Sequence, residues 1–351
     1  MKKKILALIC TVLAMTMVVA CGAPAAAPAA PAAPAAPVSP SAPAAPAAPA
    51  WKFDRKIDII CPWGVGGGAD STIRPMADLL SKELGVPVQV VNVEGAGGVN
   101  GVEYTYKQPA DGYTFMLGTQ SLIMADLQAI PTMKYKEEFV PVTKLVHSIN
   151  IIAASKKAAE GKYTNFSELK KYVETHPNEV SCGMLSATGA DAAGLRETLK
   201  GMAVKEVPYG AGSEMNAAIA GGHLGLMITG TDEIKGLIAS GDIIPLVALS
   251  EKRMKLYPDM ECTGELGINS YIGTWRGIFA RKGTPQEAVD AMVAAVEKCV
   301  QTDTWQKFLT QGVYDEREGY ANPETFRKLF DSEYATFTTY LDGMGVLKRK
   351  Y

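Results

Sequence analysis

Histidine and patterned cysteine are what this 351-residue chain has least of. Its three histidines, His147, His176 and His223, show no HExxH or other ligand spacing, so they read as scattered structural or surface residues. Cys61, Cys182, Cys262 and Cys299 are widely separated and form no CxxC pair, which argues against a zinc site. Their even number permits disulfides, and buried free thiols are the other reading. There is no GxSxG elbow and no Walker lysine loop, so catalysis has no visible machinery. Basic excess is lacking too. Without residues 1–20, 32 Lys and Arg face 37 Asp and Glu, a net charge of about −5, and nucleic acid is not an expected partner. An anionic ligand must then be drawn by local N–H groups and single Arg or Lys residues. After residue 20 no apolar run approaches a membrane span.

What is there begins with an export pattern. Lys2, Lys3 and Lys4 precede the uncharged, mostly apolar stretch 5–20, as in a secretory signal peptide, the alternative being a short anchor helix. Val18-Val-Ala-Cys21 resembles the lipobox of bacterial lipoproteins, which makes Cys21 the expected lipidated first residue. Acyl chains on Cys21 would hold a soluble domain on the outer face of the cell membrane. Residues 22–50 are almost wholly Ala and Pro, too poor in large apolar side chains for a core, and suit an extended tether. From Trp51 onward the composition is globular and long enough for two domains.

Residues 57–84 organise the folded part: a short apolar strand, a glycine-packed turn ending in Asp70, then an amphipathic helix with Ile73, Met76, Ala77, Leu80 and Leu84 on one face. Gly66, Gly67 and Gly68 let the backbone turn sharply and bring bare N–H groups to a ligand. The first N–H groups of the helix lack partners within it, so a carboxylate or phosphate fits there. Pro75 is tolerable if the helix starts near Thr72. A valine-rich strand over 86–93, a second glycine loop over 94–101, a helix and a third strand over 114–118 complete a β-α-β-α-β unit. Its right-handed crossovers gather the loops on one edge of a parallel sheet, where ligands bind. Thr119 and Ser121 then face the glycine loop. Strands over 150–154 and 180–184, a small-residue loop carrying Ser186, Thr188 and Asp191, and strands over 224–229 and 243–249 form a second α/β unit. The chain returns to the first unit through residues 275–280 and the helix after Pro285. The expected fold class is therefore α/β, with two facing units and a cleft between them. The expected domains are 51–152 with 271–351, and 153–270.

Gly64-Val-Gly-Gly-Gly-Ala69 formally satisfies G-x-G-x-x-G/A, the NAD-binding Rossmann turn, with Glu94 ending the next strand. The export pattern and the crowding of glycines argue against that enzyme reading. Asp70 is read as a helix cap in preference to a general base. Trp63 and Trp275 are core aromatics or, for Trp63, a pocket wall. Hydroxyls of Thr119, Ser121, Ser186 and Thr188 at strand ends supply neutral donors that orient a carboxylate.

Several ordered motifs over residues 56–341 resemble the solute-binding components of tripartite tricarboxylate transporters, including the Bordetella uptake-gene type. These are Pro62-Trp-Gly-Val-Gly-Gly-Gly-Ala-Asp70, Glu94-Gly-Ala-Gly-Gly-Val-Asn-Gly101, Pro109-Ala-Asp-Gly-Tyr-Thr114, Val207-Pro-Tyr209 with Gly221-Gly222, and Trp275-Arg-Gly277 with Gly283-Thr-Pro285. The resemblance implies a hinged, periplasmic-binding-protein-like fold closing over a small carboxylate, no catalysis, no cofactor, and delivery to membrane permease subunits by a monomer. The implied ligand residues are Trp63, Gly66, Gly67, Ala69, Asp70, Thr119, Ser121, Ser186, Thr188, Asp191 and Tyr209. Where the family often has Ser and His, this chain has Ala190 and Asp191. That more acidic wall widens the expected solute from a di- or tricarboxylate to a monocarboxylate, an amino acid or another partly cationic acid. The alternatives are an NAD-binding enzyme and a surface lipoprotein without a transport role.

Overall fold

A computed structural model describes residues 51–209 and 212–351. The signal-peptide, Cys21 and Ala/Pro-tether expectations all lie outside the described residues. The first sheet begins with β1 (Ile57–Cys61), α1 (Gly68–Leu84), β2 (Val88–Asn92), α2 (Val99–Tyr106), β3 (Thr114–Gly118) and α3 (Gln120–Leu127), followed by the short α4 (Tyr135–Glu138) and β4 (Phe139–His147). The second runs through β5 (Asn150–Ser155), α5 (Lys156–Ala159), α6 (Phe166–Thr175), β6 (Ser181–Met184), α7 (Ala190–Thr198), β7 (Lys205–Pro208), α8 (Gly212–Gly221), β8 (Leu226–Gly230), α9 (Thr231–Ser240), β9 (Ile243–Ala248) and β10 (Glu261–Cys262). The chain then returns as β11 (Trp275–Arg281), α10 (Gln286–Val300), α11 (Asp303–Gln311) and α12 (Pro323–Gly343).

Strand order is β2-β1-β3-β11-β4 in one sheet and β10-β9-β5-β8-β6-β7 in the other. As the crossovers predict, β1 pairs in parallel with both β2 and β3, Ile59 standing opposite Val90 and Phe115. Period-two alternation sends Ile57, Ile59 and Cys61 to a core under α1 and α10. Ile60 joins Met116, Ile123, Phe279 and Phe330 on the opposite face. The second sheet is likewise covered on both faces, with Ile152 and Leu169 on one side and Ile151 and Ile219 on the other.

Antiparallel pairing positions the site. β11 begins where β3 ends, with Gly277 opposite Gly118. β5 begins where β8 ends, with Asn150 opposite Gly230. The two segments that pass between the sheets, before Asn150 and before Trp275, therefore run along the edge at which the parallel strands deliver their loops.

Three local expectations change. α1 starts at Gly68, so Pro75 is its eighth residue and lies in the interior. The carbonyl it leaves unpaired is that of Ser71, an exposed residue, where water can serve it. β4 was not expected as a strand; it occupies the sheet edge, where Pro141 is tolerated. The passage between sheets precedes Asn150, three residues before the expected boundary after 152, because residues 150–152 already pair with β8.

Candidate functional site

Several helices open at strand ends on glycine. α1, α7 and α9 follow β1, β6 and β8, and their N-caps are Gly67, Gly189 and Gly230, none of which supplies a side-chain cap. The first-turn N–H groups of these helices have no partner within the helix, and the dipole adds partial positive charge there. α3, by contrast, is capped by Thr119, whose hydroxyl accepts from the Ser121 N–H at 3.2 Å.

The α1 loop is held from behind. Gly66 takes φ +81°, which its missing Cβ permits. Its N–H donates to Asp70 Oδ2 at 2.9 Å. Asp70 also accepts from Arg74 Nε at 2.8 Å and from Asn92 Nδ2 at 2.8 Å. Burial pushes the Asp70 carboxyl up, but the bonds from Arg74, the Gly66 N–H and Asn92 outweigh it and the pKa lies below the ordinary value. Asp70 thus has a different place from the expected cap: Gly67 is the N-cap, and Asp70, third in the helix and buried, reaches back to brace the loop. The methyl of Ala69 is packed in the core, which leaves its backbone N–H as the group to offer.

The other expected residues divide between wall and scaffold. Trp63 is half-buried, its ring against Gly98 of the second glycine loop, and its carbonyl accepts from Asn92 at 2.9 Å. Trp275 is wholly buried, its indole N–H donating to Glu333 at 2.6 Å. Ser121 is exposed. Ser186 Oγ accepts from the Thr188 N–H, while the Thr188 hydroxyl donates to Gln128 at 2.9 Å and so joins α7's loop to α3. Tyr209 packs against the core containing Met215, and its N–H donates to the Met184 carbonyl at 2.8 Å. Asp191, in the first turn of α7, accepts from Asn150 Nδ2 at 2.7 Å. Burial raises its pKa to about 6, the Asn150 bond opposing.

The sequence reading left out the charged centre between the sheets. Arg276 of β11, almost fully buried, donates to Asp232 at 3.1 Å, to the Tyr314 hydroxyl at 2.8 Å and to Glu233 at 3.3 Å. Tyr314 in turn donates to Asp232 at 2.8 Å. The Glu233 carboxylate stands so close to Gly68 that a Cβ there would lie 2.8 Å from it, and the Arg276 guanidinium is closer still. An anion of the second unit therefore rests at the open end of α1. Burial, then the Asp232 charge, raises the Glu233 pKa to about 7, with Asp191 adding a further upward push and Arg276 opposing. The position of Thr231-Asp-Glu233 directly after a strand is the signal that matches the other loops.

Among the described residues no group of three or more His, Cys, Asp or Glu could hold a metal ion. Among the described residues Cys61, Cys182, Cys262 and Cys299 are free and buried, and burial pushes the Cys61 thiol up to about 11. No described helix is long and apolar enough to cross a membrane.

Residues 72–335 match the family described as tripartite tricarboxylate transporter family receptor. The chain is 31% identical to protein BugT of Bordetella pertussis over 266 residues, 74% of this chain and 80% of that one. It superimposes on periplasmic binding protein BugD with a TM-score of 0.72 at 24% identity, covering 85% of this chain and 100% of that one. On R. palustris Rpa4515, solved with adipate, the TM-score is 0.73 at 25% identity, covering 84% and 98%. The α/β fold with two lobes is thus that of periplasmic binding proteins. The chain belongs to the tripartite tricarboxylate transporter receptor family, as an extracytoplasmic solute-binding protein that takes a small carboxylate to a membrane permease and not as an enzyme.

Proposed function

We propose that the solute carboxylate rests on the free N–H groups of the first turn of α1, at Gly68 and Ala69, beside Arg276, with Gly67, whose own N–H donates to the Gly64 carbonyl at 3.3 Å, turning the chain beneath it, and that α7 and α9 close on it from the other lobe. The observation that carries this reading is the Glu233 carboxylate at Gly68 and Arg276, a resident anion at the place a ligand anion would take. Trp63, Gly66, Asp70 and Thr119 form and brace the first wall; Ser121, Ser186, Thr188, Asp191 and Tyr209 flank the opening. The two lobes would move as two domains, residues 51–149 with 275–351 and residues 150–274, about the segments before Asn150 and Trp275. Cys21 would carry the lipid anchor, residues 22–50 the tether, and the folded part would act as a monomer outside the cell membrane. The adipate found with Rpa4515 supports a small organic acid as solute.

Thermal melts of the protein with di- and tricarboxylates, monocarboxylates and amino acids test this. A ligand at a hundred times its Kd should add about 2.7 kcal/mol of stability, a rise of a few degrees. Gly67→Val is the sharpest variant. A Cβ at Gly67 meets only the Gly64 carbonyl, at 3.4 Å, so the fold should persist while affinity falls about a hundredfold through blocked approach. Unchanged affinity would remove α1 from the site.

A further inference from the structure

The lobe that faces α1 carries more negative charge than the protein neutralises. Arg276 is shared between Asp232 and Glu233. Asp191 has a single hydrogen bond, from the neutral amide of Asn150. Asp70 is matched by Arg74 and lends nothing to this balance. With one guanidinium against three carboxylates, the centre is short of positive charge.

The neutral groups around it point the same way. Asn150 is wholly buried, and its Oδ1 has no protein partner. Asp191 settles the orientation of that amide, since the reverse orientation would put a carbonyl oxygen against a carboxylate. Asp232 Oδ1 is likewise buried and without a partner. Asp232 Oδ1 and Ser148 Oγ lie 2.5 and 3.2 Å from where a Cβ on Gly230 would stand, and Gly230 is the strand partner of Asn150. Buried Gln120 Oε1, on the first lobe, is a third acceptor without a partner, while its amide nitrogen donates to the Gly273 carbonyl at 3.1 Å. Thr231 Oγ1, buried beside Asp232 and also without a partner, can donate or accept, while the other three orphan atoms only accept. A buried acceptor left unmet costs as much as a lost hydrogen bond.

We propose that the solute is a zwitterionic amino acid, whose ammonium group is held by Asp191, Glu233 and the Asn150 carbonyl oxygen while its carboxylate lies at the N-terminus of α1. This rests on the carboxylate reading above and narrows it. An ammonium group supplies three donors, no acceptor and the missing charge. A plain carboxylate placed at Gly68 would stand beside Glu233 and be repelled by it. A zwitterion meets both demands at once: its carboxylate replaces Glu233 on Arg276 and its ammonium takes up the carboxylate so released. A divalent metal is the other cation to weigh, and no group of three or more His, Cys, Asp or Glu among the described residues could hold one.

The test is calorimetric titration of the full-length protein in mild detergent with matched pairs that differ only by the amine: L-glutamate and glutarate, L-aspartate and succinate, L-alanine and propionate, 4-aminobutyrate and butyrate. The expected result is an amino acid that binds about tenfold or more tightly than its deaminated partner. Asp191→Asn, which keeps shape, should cost that amino acid about tenfold more than it costs its deaminated partner. Glu233→Gln should act in the same direction. If deaminated acids bind as well as or better than their partners in every pair, the ammonium assignment falls and the carboxylate reading stands. If no member of any pair binds, both fall. The wild-type pairs decide the matter even where a variant fails to fold.

Discussion

Two kinds of helix start stand in contrast among the described residues. α6, α11 and α12 begin on Asn165, Thr302 and Asn322, whose side chains accept from the N–H groups of Glu168, Trp305 and Thr325. α1, α7 and α9 begin on glycine and are left open. The first kind spends its terminal N–H groups on its own chain and gains stability. The second kind keeps them available, apart from the Thr231 N–H of α9, which donates to the Ile149 carbonyl at 3.1 Å, and at α1 they already face a carboxylate from the other lobe. An uncapped helix costs stability, so three of them at strand ends of both sheets mark where the molecule gives up self-satisfaction for a ligand.

The contrast is broken most severely at the charge centre that bridges the two kinds of wall. Arg276→Ala leaves Asp232 buried with only Tyr314 for company and should cost about 3–5 kcal/mol in denaturant unfolding. A smaller loss would mean that water reaches Asp232 freely. Next comes the brace of the α1 loop. Asp70→Asn gives up charge-assisted bonds to Arg74 and the Gly66 N–H, a loss of about 1–2 kcal/mol at pH 7. Because the folded pKa of Asp70 is depressed, its contribution is complete above the ordinary carboxylate range and disappears as pH falls through the folded value. The stabilities of variant and wild type should therefore converge in acid; parallel curves would show that the charge contributes nothing.

The caps themselves sharpen the comparison. Asn165→Ala should lower stability by about 1 kcal/mol and leave solute affinity untouched, since the Asn165 side chain bonds only the Glu168 N–H of its own helix. Gly189→Ser is its mirror image. φ at Gly189 is −84° and a new Cβ would meet Ser186 at 3.2 Å, so a small shift admits a side-chain cap. Stability should rise by about 0.3 kcal/mol while solute affinity drops, because the new hydroxyl occupies the N–H groups that α7 offers. Equal affinity in Gly189→Ser would place the ligand away from α7.

Much of the fold was legible because its signals are local. Alternation in β1, valine in β2 and the turn residues before β3 belong to short windows, and the β-α-β-α-β unit formed as they predict. β4 was hidden because Pro141 and Lys144 interrupt its pattern, and only its edge position makes them acceptable. Pro75 pointed to a late helix start because a missing N–H is a local fact, whereas the packing of Ile73, Met76 and Leu80 that carries α1 through it is not. Asp70 illustrates the same limit: its partner Asn92 lies 22 residues away, on the next strand.

The sequence by itself determined the glycine turn, the strand that delivers it and the absence of metal or nucleophile patterns, since backbone freedom and side-chain chemistry travel with each residue. Tertiary structure alone decided what stands opposite that turn. Arg276 meets Asp232 and Glu233 across more than 40 residues of chain. Asp191 finds Asn150 across 41. Whether a carboxylate is a solvated surface group or one member of a charge-starved centre depends on which other charges share its low-dielectric surroundings, and only folding brings those together.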